Sequence, residues 1–196
     1  MIAALTGNYG MGKSTVLACF NALGAITIDS DRIVAELLVK KPVVAKISRV
    51  LGPGVLAQDG RLDKKRTAAL VFTDKRKRRK LENLLHPLVF REVEKRIRKI
   101  RAGKAVVIVE VPLLFEGRYQ SRFARTITVH TTRKTALARL AGSGISGREA
   151  LRRLRAQLPI SVKKKRADFT VDNNGSRAST RAQVGRIYRV LLSESA

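Results

Sequence analysis

Eight residues near the start of the chain have the types and spacing of a phosphate-binding loop. Residues 7–14 read Gly-Asn-Tyr-Gly-Met-Gly-Lys-Ser, which fits the pattern G-x-x-x-x-G-K-[ST]. Glycines let successive N–H groups face phosphate oxygens, the lysine reaches the β- and γ-phosphates, and the serine hydroxyl ligates Mg²⁺. The pattern predicts binding of ATP or a similar triphosphate, with Ser14 as the metal ligand. The predicted nucleotide-binding residues here are Gly10, Met11, Gly12, Lys13, Ser14 and Thr15.

Two aspartates follow the second apolar run, in the segment Asp29-Ser30-Asp31-Arg32. Ligands of open parallel sheets bind beyond the carboxyl ends of the strands, so we expect this segment beside the triphosphate. A carboxylate there can accept the proton of an attacking hydroxyl or hold Mg²⁺ through water. Capping the following helix or favouring its dipole is the alternative role for one of the two. We predict Asp31 as the base and leave Asp29 open.

The elements that must position these residues are short apolar, β-branched runs separated by helical patterns. This alternation predicts βαβ units and an α/β three-layer sandwich, with a parallel five-stranded sheet and helices on both faces. A phosphate loop after the first strand is typical of nucleoside-triphosphate hydrolase-like folds. The predicted strands are Ile2–Leu5, Ile26–Ile28, Val106–Val111, Thr126–Val129 and Phe169–Val171.

One domain with two additions accounts for the rest of the chain. About 75 residues separate the second and third strands, more than one crossover helix needs, which predicts a helical insertion at 61–104. Within it, Pro87 is expected to break the helix after His86. A second helical segment, 133–166, is predicted to be mobile. The core then comprises 1–60, 105–132 and 167–196.

The charge of the chain is concentrated in these two additions. The 196 residues carry a formal net charge of +26, of which +12 lies in 61–104 and +10 in 133–166. Such a field attracts polyanions and predicts salt-sensitive, nonspecific binding to nucleic acid. With three Tyr, six Phe and no Trp, little is available for base stacking, so specific nucleic-acid binding is not expected. No run of about 18 uncharged apolar residues occurs, which predicts a cytoplasmic protein without a membrane partner.

Nearly the whole chain resembles the dephospho-coenzyme A kinases. The resemblance implies ATP-dependent phosphorylation of the ribose 3′-hydroxyl of dephospho-coenzyme A. It also implies that the insertion 61–104 binds the acceptor and that the segment 133–166 is a lid. The similar segments, in chain order, are Leu5–Thr15, Asp29–Ala35, Gly60–Asp63, Leu85–Val89, Val111–Glu116 and Asp172–Gly175.

Site residues follow from the resemblance. It implies that Lys13, Asp31 and Arg139 are catalytic. For the acceptor, dephospho-coenzyme A, the implied binding residues are Asp31, His86, Pro112, Leu113 and Glu116. Around the adenine of ATP, the implied residues are Asn173, Asn174 and Gly175.

Several of these assignments have a structural alternative. A helix cap is an equally good interpretation of His86, and a plain loop role is the alternative for Glu116. At the end of a central strand, Glu110 fits either a site carboxylate or a structural residue.

The predicted lid departs from the family pattern. Arg139-Leu140 matches its start, and Arg153, Gln157 and Pro159 match its end. The segment between them, Ala141-Gly142-Ser143-Gly144, is one residue short and lacks an arginine expected after Leu140. Either Arg148 or Arg152 substitutes, or closure of the lid is weakened.

Two other functions use the same features. A kinase of another small acceptor, such as a nucleoside monophosphate, would share the loop, the sheet and the basic lid. A basic nucleic-acid-binding protein with an ATP site would share the charge. The Asp-Ser-Asp, His-Pro and Pro-Leu-Leu-Phe-Glu segments favour dephospho-coenzyme A over both alternatives.

Overall fold

A parallel five-stranded sheet with the strand order β2-β3-β1-β4-β5 organises the protein. The computed structural model describes residues 1–100 and 105–195. All five predicted strands are confirmed, most with one residue added or removed at an end. Their bounds are β1 Ile2–Thr6, β2 Ile26–Asp29, β3 Val107–Glu110, β4 Arg125–His130 and β5 Phe169–Asp172.

Helices connect the strands as the predicted βαβ pattern requires, except between β3 and β4, where the connection contains only a 3₁₀ turn. Their bounds within the described residues are α1 Lys13–Ala22, α2 Ser30–Leu37, α3 Lys41–Leu51, α4 Lys64–Thr73, α5 Lys75–Lys99, α6 Arg133–Gly142, α7 Gly147–Arg155, α8 Ile160–Arg166 and α9 Arg177–Ser193. Short 3₁₀ turns occur at Pro53–Val55 and Gln120–Arg122.

The strands β1 and β3 lie inside the sheet, and their apolar side chains form part of the core. Leu5 of β1 and Ile108 of β3 are completely buried, because helices cover the sheet. Phe20 of α1 and Leu191 of α9 lie in the same buried cluster. This packing holds the start of α1 at the carboxyl end of β1, where the phosphate loop connects them.

Strand register brings the ends of the central strands to one edge. Glu110 of β3 is in register with Leu5 of β1 on one side and with Asp29 of β2 on the other. In open parallel sheets, ligands bind beyond the carboxyl ends of the strands, and the phosphate loop follows the carboxyl end of β1. The sequence-predicted position of the nucleotide site therefore has its structural basis in the strand order.

Two compact units divide the described chain. Residues 1–29 and 105–195 form the sheet unit, and residues 30–100 form the helical unit. The helical unit begins at the residue after β2, whereas the insertion predicted from the sequence begins at 61. The boundaries 61–104 and 133–166 stay predictions of functional segments. No described helix is long and apolar enough to span a membrane.

The predicted helix break at Pro87 is wrong. Pro87 lies inside α5, which continues without interruption through residue 99. Proline removes only its own N–H bond to the carbonyl of residue 83, and packing can offset that loss. Leu85, Val89 and Val93 are buried, and α5 packs against α2, α3 and α4. These contacts on both sides of residue 87 keep the helix continuous.

Helices are confirmed in the predicted lid. α6 ends in a turn at Gly144, which has a φ of +77°, and Ile145 N–H donates to the carbonyl of Leu140. Ser146 then caps the N-terminus of α7, where its hydroxyl accepts from Glu149 N–H. The Gly-rich segment is therefore the tight connection between two helices.

Candidate active site

The phosphate loop is an open cradle at the N-terminus of α1. Gly12 is the N-cap of α1, with φ 81° and ψ 35°, and no side chain caps the helix there. Gly10 also has a left-handed backbone, with φ +78°. The first N–H groups of α1 therefore face the loop together with the positive end of the helix dipole. This arrangement fits the phosphates of a nucleotide.

A side chain at residue 12 has no room. A Cβ atom built there would lie 2.1 Å from Nδ2 of Asn173, far inside van der Waals contact. Nη1 of Arg139 would lie 3.3 Å from the same position. The structure thus brings together Gly12, Asn173 and Arg139, three residues that the sequence placed in the site separately.

Lys13 has a carboxylate partner inside the site. Its Nζ lies 3.8 Å from Oε1 of Glu110, and both side chains are nearly buried, with 12% and 10% exposed. At this distance the two groups are an ion pair without a hydrogen bond. Glu110 thus neighbours both Lys13 and the end of β2, and its role as a site carboxylate stays a prediction.

The carboxyl edge of the sheet carries side chains whose chemistry suits Mg²⁺. Among the described residues, no group of three or more His, Cys, Asp and Glu side chains could hold a metal ion. Kinase-type Mg²⁺ needs fewer protein ligands, because phosphate oxygens and water complete its coordination. Ser14 opens α1, and Glu110 with Asp29 supplies carboxylates in register. The donors fit Mg²⁺ bound jointly with a nucleotide.

Asn173 ties the loop after β5 to the phosphate loop. Its Nδ2 donates to the carbonyl of Met11 at 3.0 Å, and its Oδ1 accepts from Thr180 Oγ1 at 3.0 Å. Arg139 donates from Nη2 to the Asn173 carbonyl at 2.8 Å. The buried side chain therefore holds the shape of the phosphate loop, and its contact with adenine stays a prediction.

Asn174 and Gly175 are more exposed to solvent than Asn173. Asn174 accepts from Thr131 Oγ1 at 2.5 Å and from Thr132 N–H at 2.7 Å. Asn174 N–H donates to Asp172, and this bond lowers the pKa of the Asp172 carboxyl. Gly175 is exposed. Their contacts rigidify the turn where the adenine was predicted to bind.

The loop after β3 is also tied to the phosphate loop. Thr6 Oγ1 donates to the carbonyl of Pro112 at 3.1 Å. Glu116 Oε1 accepts from Nζ of Lys163 at 2.8 Å and from Leu158 N–H at 3.0 Å. Leu113, between them, is half-buried. Substrate-binding roles of Pro112, Leu113 and Glu116 stay predictions, but all three belong to the sheet unit that carries the site.

Two lid residues bind the phosphate loop directly. Arg153 donates from Nη1 to the hydroxyl of Tyr9 at 2.8 Å, and its guanidinium carbon lies 4.7 Å from the centre of the Tyr9 ring. Gln157 Oε1 accepts from Tyr9 N–H at 2.9 Å. Arg148 and Arg152, the two substitutes considered from the sequence, are exposed on α7. Substitution by either one stays a prediction.

Asp31 and His86 belong to the helical unit. Asp31 lies in the first turn of α2, the position expected from the helix-dipole interpretation. His86 lies within α5, not at its end, and burial lowers the pKa of its imidazole while Glu82 opposes the shift. A cap of α5 is therefore not its role. The catalytic role of Asp31 and the acceptor role of His86 stay predictions.

Sequence reasoning missed Lys163. It lies in the lysine run Lys163–Lys165, which looks like a solvated surface, yet its side chain is completely buried. One signal was available: Ile160, Lys163 and Ala167 recur at the spacing of a single helix face. Apolar neighbours at that spacing indicate that the lysine between them points inward.

Comparison with known proteins shows which family matches most of the chain. The profile of the family described as Dephospho-CoA kinase matches residues 1–179. The Dephospho-CoA kinase of Symbiobacterium thermophilum is 41% identical over 191 residues, covering 96% of this chain and 80% of the relative. The enzyme of the same name from Aquifex aeolicus is 36% identical over 188 residues, covering 95% of each chain.

Solved structures show the same fold. A Thermus thermophilus protein matches with a TM-score of 0.85 and 33% identity, over 99% of this chain and 97% of the other. A Dephospho-CoA kinase from Campylobacter jejuni matches with a TM-score of 0.73 and 24% identity, over 100% and 98%. A Shikimate kinase from Bacteroides thetaiotaomicron matches with a TM-score of 0.52 and 17% identity, over 97% and 98%.

Proposed function

The chain belongs to the dephospho-CoA kinase family, and from this premise we propose that its site transfers the γ-phosphoryl group of Mg-ATP to dephospho-coenzyme A. The accepting group is the ribose 3′-hydroxyl, and the products are coenzyme A and ADP. The observation that carries the proposal is the phosphate loop itself, with Lys13 paired to Glu110 at the carboxyl edge of the sheet. Phosphoryl transfer depends mainly on positioning and charge neutralisation, which such a site supplies.

Nucleotide binding rests on three groups in the sheet unit. The N–H groups at the start of α1 bind phosphate oxygens, and Lys13 exchanges Glu110 for the β- and γ-phosphates. The exchange costs little, because the present ion pair is long and contains no hydrogen bond. Arg139, held at the loop by the carbonyl of Asn173, adds positive charge where negative charge develops.

Mg²⁺ neutralises charge on the phosphates when it is bound. Ser14 would ligate it directly, and Glu110 and Asp29 would accept hydrogen bonds from its water ligands. The register of Asp29 and Glu110 on neighbouring strands supports this pairing.

Binding and deprotonation of dephospho-coenzyme A are assigned to Asp31 and the residues predicted with it. Asp31 accepts the proton of the attacking hydroxyl. His86, Pro112, Leu113 and Glu116 bind dephospho-coenzyme A, and the low pKa of His86 keeps the imidazole neutral at pH 7. A neutral ring can donate a hydrogen bond to the acceptor or accept one from it.

The test is product formation from defined substrates. Purified protein is incubated with Mg-ATP and dephospho-coenzyme A, and ADP and coenzyme A are followed by chromatography. The variant Asp31→Asn is expected to lose at least about a hundredfold in turnover, whereas Asp59→Asn, the same change at an exposed aspartate, keeps the wild-type rate. No coenzyme A from the wild type would refute the proposal, and nucleoside monophosphates assayed in parallel test the alternative acceptor.

The proposal also includes nonspecific binding to polyanions and a cytoplasmic location. The net charge of +26 supports salt-sensitive, nonspecific binding to polyanions beside the enzymatic activity. We assign the protein to the cytoplasm because the reaction consumes ATP and a soluble nucleotide acceptor.

A further inference from the structure

Lys163 is a buried cation in the sheet unit. It is completely buried on α8, whereas its neighbours Lys164 and Lys165 are exposed. Burial lowers the pKa of Lys163, while Glu116 opposes the shift and the charge of Lys13 adds to it. A buried ammonium is costly unless its hydrogen bonds are satisfied, so its partners define what it does.

Both partners of Lys163 lie in the loop after β3. Its Nζ bonds to Glu116 Oε1 at 2.8 Å and to the carbonyl of Pro112 at 3.2 Å. The same Pro112 carbonyl accepts from Thr6 Oγ1, one residue before the phosphate loop begins. One lysine therefore joins the end of the lid segment to the loop that leaves the central strand.

A second path leads from Glu116 to the phosphate loop. Glu116 Oε1 accepts from Leu158 N–H at 3.0 Å, and the Leu158 carbonyl accepts from Nδ2 of Asn8 at 3.0 Å. Lys163, Glu116, Leu158 and Asn8 thus form a continuous chain of hydrogen bonds. The segment between α7 and α8 is thus bonded at Leu158 to both Glu116 and Asn8. Lys163, on α8 just after this segment, is bonded to Pro112. We call Leu158 the lid attachment.

Two buried oxygens in this network have no hydrogen-bond partner among the described residues. They are Oε2 of Glu116 and Oδ1 of Asn8. Such atoms are costly to leave unpaired, and each belongs to a side chain whose other polar atom is committed to the protein. Two acceptors of the network therefore keep hydrogen-bonding capacity that the described residues do not use.

We propose that Lys163 is a positioning residue for phosphoryl transfer: it holds the Glu116 loop and the lid attachment at Leu158 in register with the phosphate loop. It acts through Glu116 and Pro112, not on the reacting atoms. The proposal rests on the kinase function above and adds a role for a residue that no motif identifies. Misplacement of a site by about 1 Å can cost a hundredfold in rate, which sets the size of the expected effect.

The test compares Lys163→Met with Lys164→Met, which makes the same charge change at an exposed neighbour. kcat, the KM for dephospho-coenzyme A and the Kd for Mg-ATP are measured well below the Tm of each variant. Concentrations are corrected for the folded fraction. Lys163→Met is expected to lower kcat about 30- to 100-fold, with the Kd for Mg-ATP changed less than about threefold, and Lys164→Met to match the wild type. Lys163→Arg, which keeps the charge and the donors, is expected to recover part of the loss.

Three outcomes would overturn the proposal. They are an unchanged kcat in folded Lys163→Met, equal losses in Lys163→Met and Lys164→Met, and a fall in Tm without a fall in kcat per folded molecule. If Lys163→Met does not fold, Lys163→Gln, which keeps a hydrogen-bond donor, carries the same comparison. A wild-type enzyme that forms no coenzyme A would instead refute the proposed function, so the two failures are distinguishable.

Discussion

Adding a single methyl group at Gly12 tests the cradle most directly. In Gly12→Ala, the new Cβ would lie 2.1 Å from Asn173 Nδ2, so Asn173 or the loop must move by more than an ångström. The backbone at residue 12 also has φ 81° and ψ 35°, a left-handed conformation that alanine adopts only at a cost.

The two effects can be added approximately. Left-handed alanine costs about 1 kcal/mol. Moving Asn173 breaks its bonds to the Met11 carbonyl and to Thr180 Oγ1, at about 1 kcal/mol each. The free energy of unfolding is therefore expected to fall by about 3 kcal/mol, which corresponds to a decrease in Tm of about 6–12 °C for a chain of this size.

Thermal unfolding and nucleotide titration measure the effect. Gly185→Ala is the matched control, because Gly185 lies inside α9 with nothing within 4 Å of its added Cβ. That variant is expected to raise the free energy of unfolding by about 0.5–1 kcal/mol, the opposite sign. Gly12→Ala is also expected to weaken Mg-ATP binding at least about tenfold, because Asn173 holds the Met11 carbonyl in the loop.

A rescue experiment separates the overlap from the backbone strain. Asn173→Ala removes the atom that the new methyl group meets, so it is expected to cost less in the Gly12→Ala background than in the wild type. A Tm of Gly12→Ala within about 2 °C of the wild type, with unchanged nucleotide affinity, would refute the reasoning.

Three further measurements test other parts of the site and the surface. Burial lowers the pKa of His86, and burial together with the charge of Lys164 lowers the pKa of His130. The unfolded chain therefore binds protons more readily than the folded one, and the free energy of unfolding is expected to fall as the pH drops below about 6.5. A series of Tm measurements at different pH checks this sign, and His86→Gln should make Tm less dependent on pH. Glu110→Gln is expected to lower turnover at least about tenfold and to raise the Mg²⁺ concentration needed for half-maximal rate, and an unchanged Mg²⁺ titration would contradict the role of Glu110. Filter binding of RNA is expected to weaken steeply with added salt, and a salt-independent affinity would exclude counterion release.

The helical unit shows where sequence patterns mislead. Proline is a strong local signal for the end of a helix, yet α5 passes through Pro87 because buried side chains on both sides pack against three other helices. Packing energy summed over many residues exceeds the cost of one missing hydrogen bond. Local signals report propensity, and tertiary contacts override it.

Much of the protein followed from the amino-acid sequence alone. The phosphate loop, the five strands, the helices at 133–166 and the family were predictable, because they depend on glycine conformations, hydrophobic periodicity and short motifs. These properties act between residues that are close in the chain.

Only the tertiary structure decided how distant residues meet. Oε1 of Glu110 lies 3.8 Å from Nζ of Lys13 because β3 is paired with β1. Asn173 fills the space beside Gly12 because β5 ends at the same edge of the sheet. Lys163 is buried because α8 turns that face toward Glu116 and Pro112. Pairing between residues more than 45 positions apart depends on which strands are neighbours, and no local pattern in the sequence encodes that order.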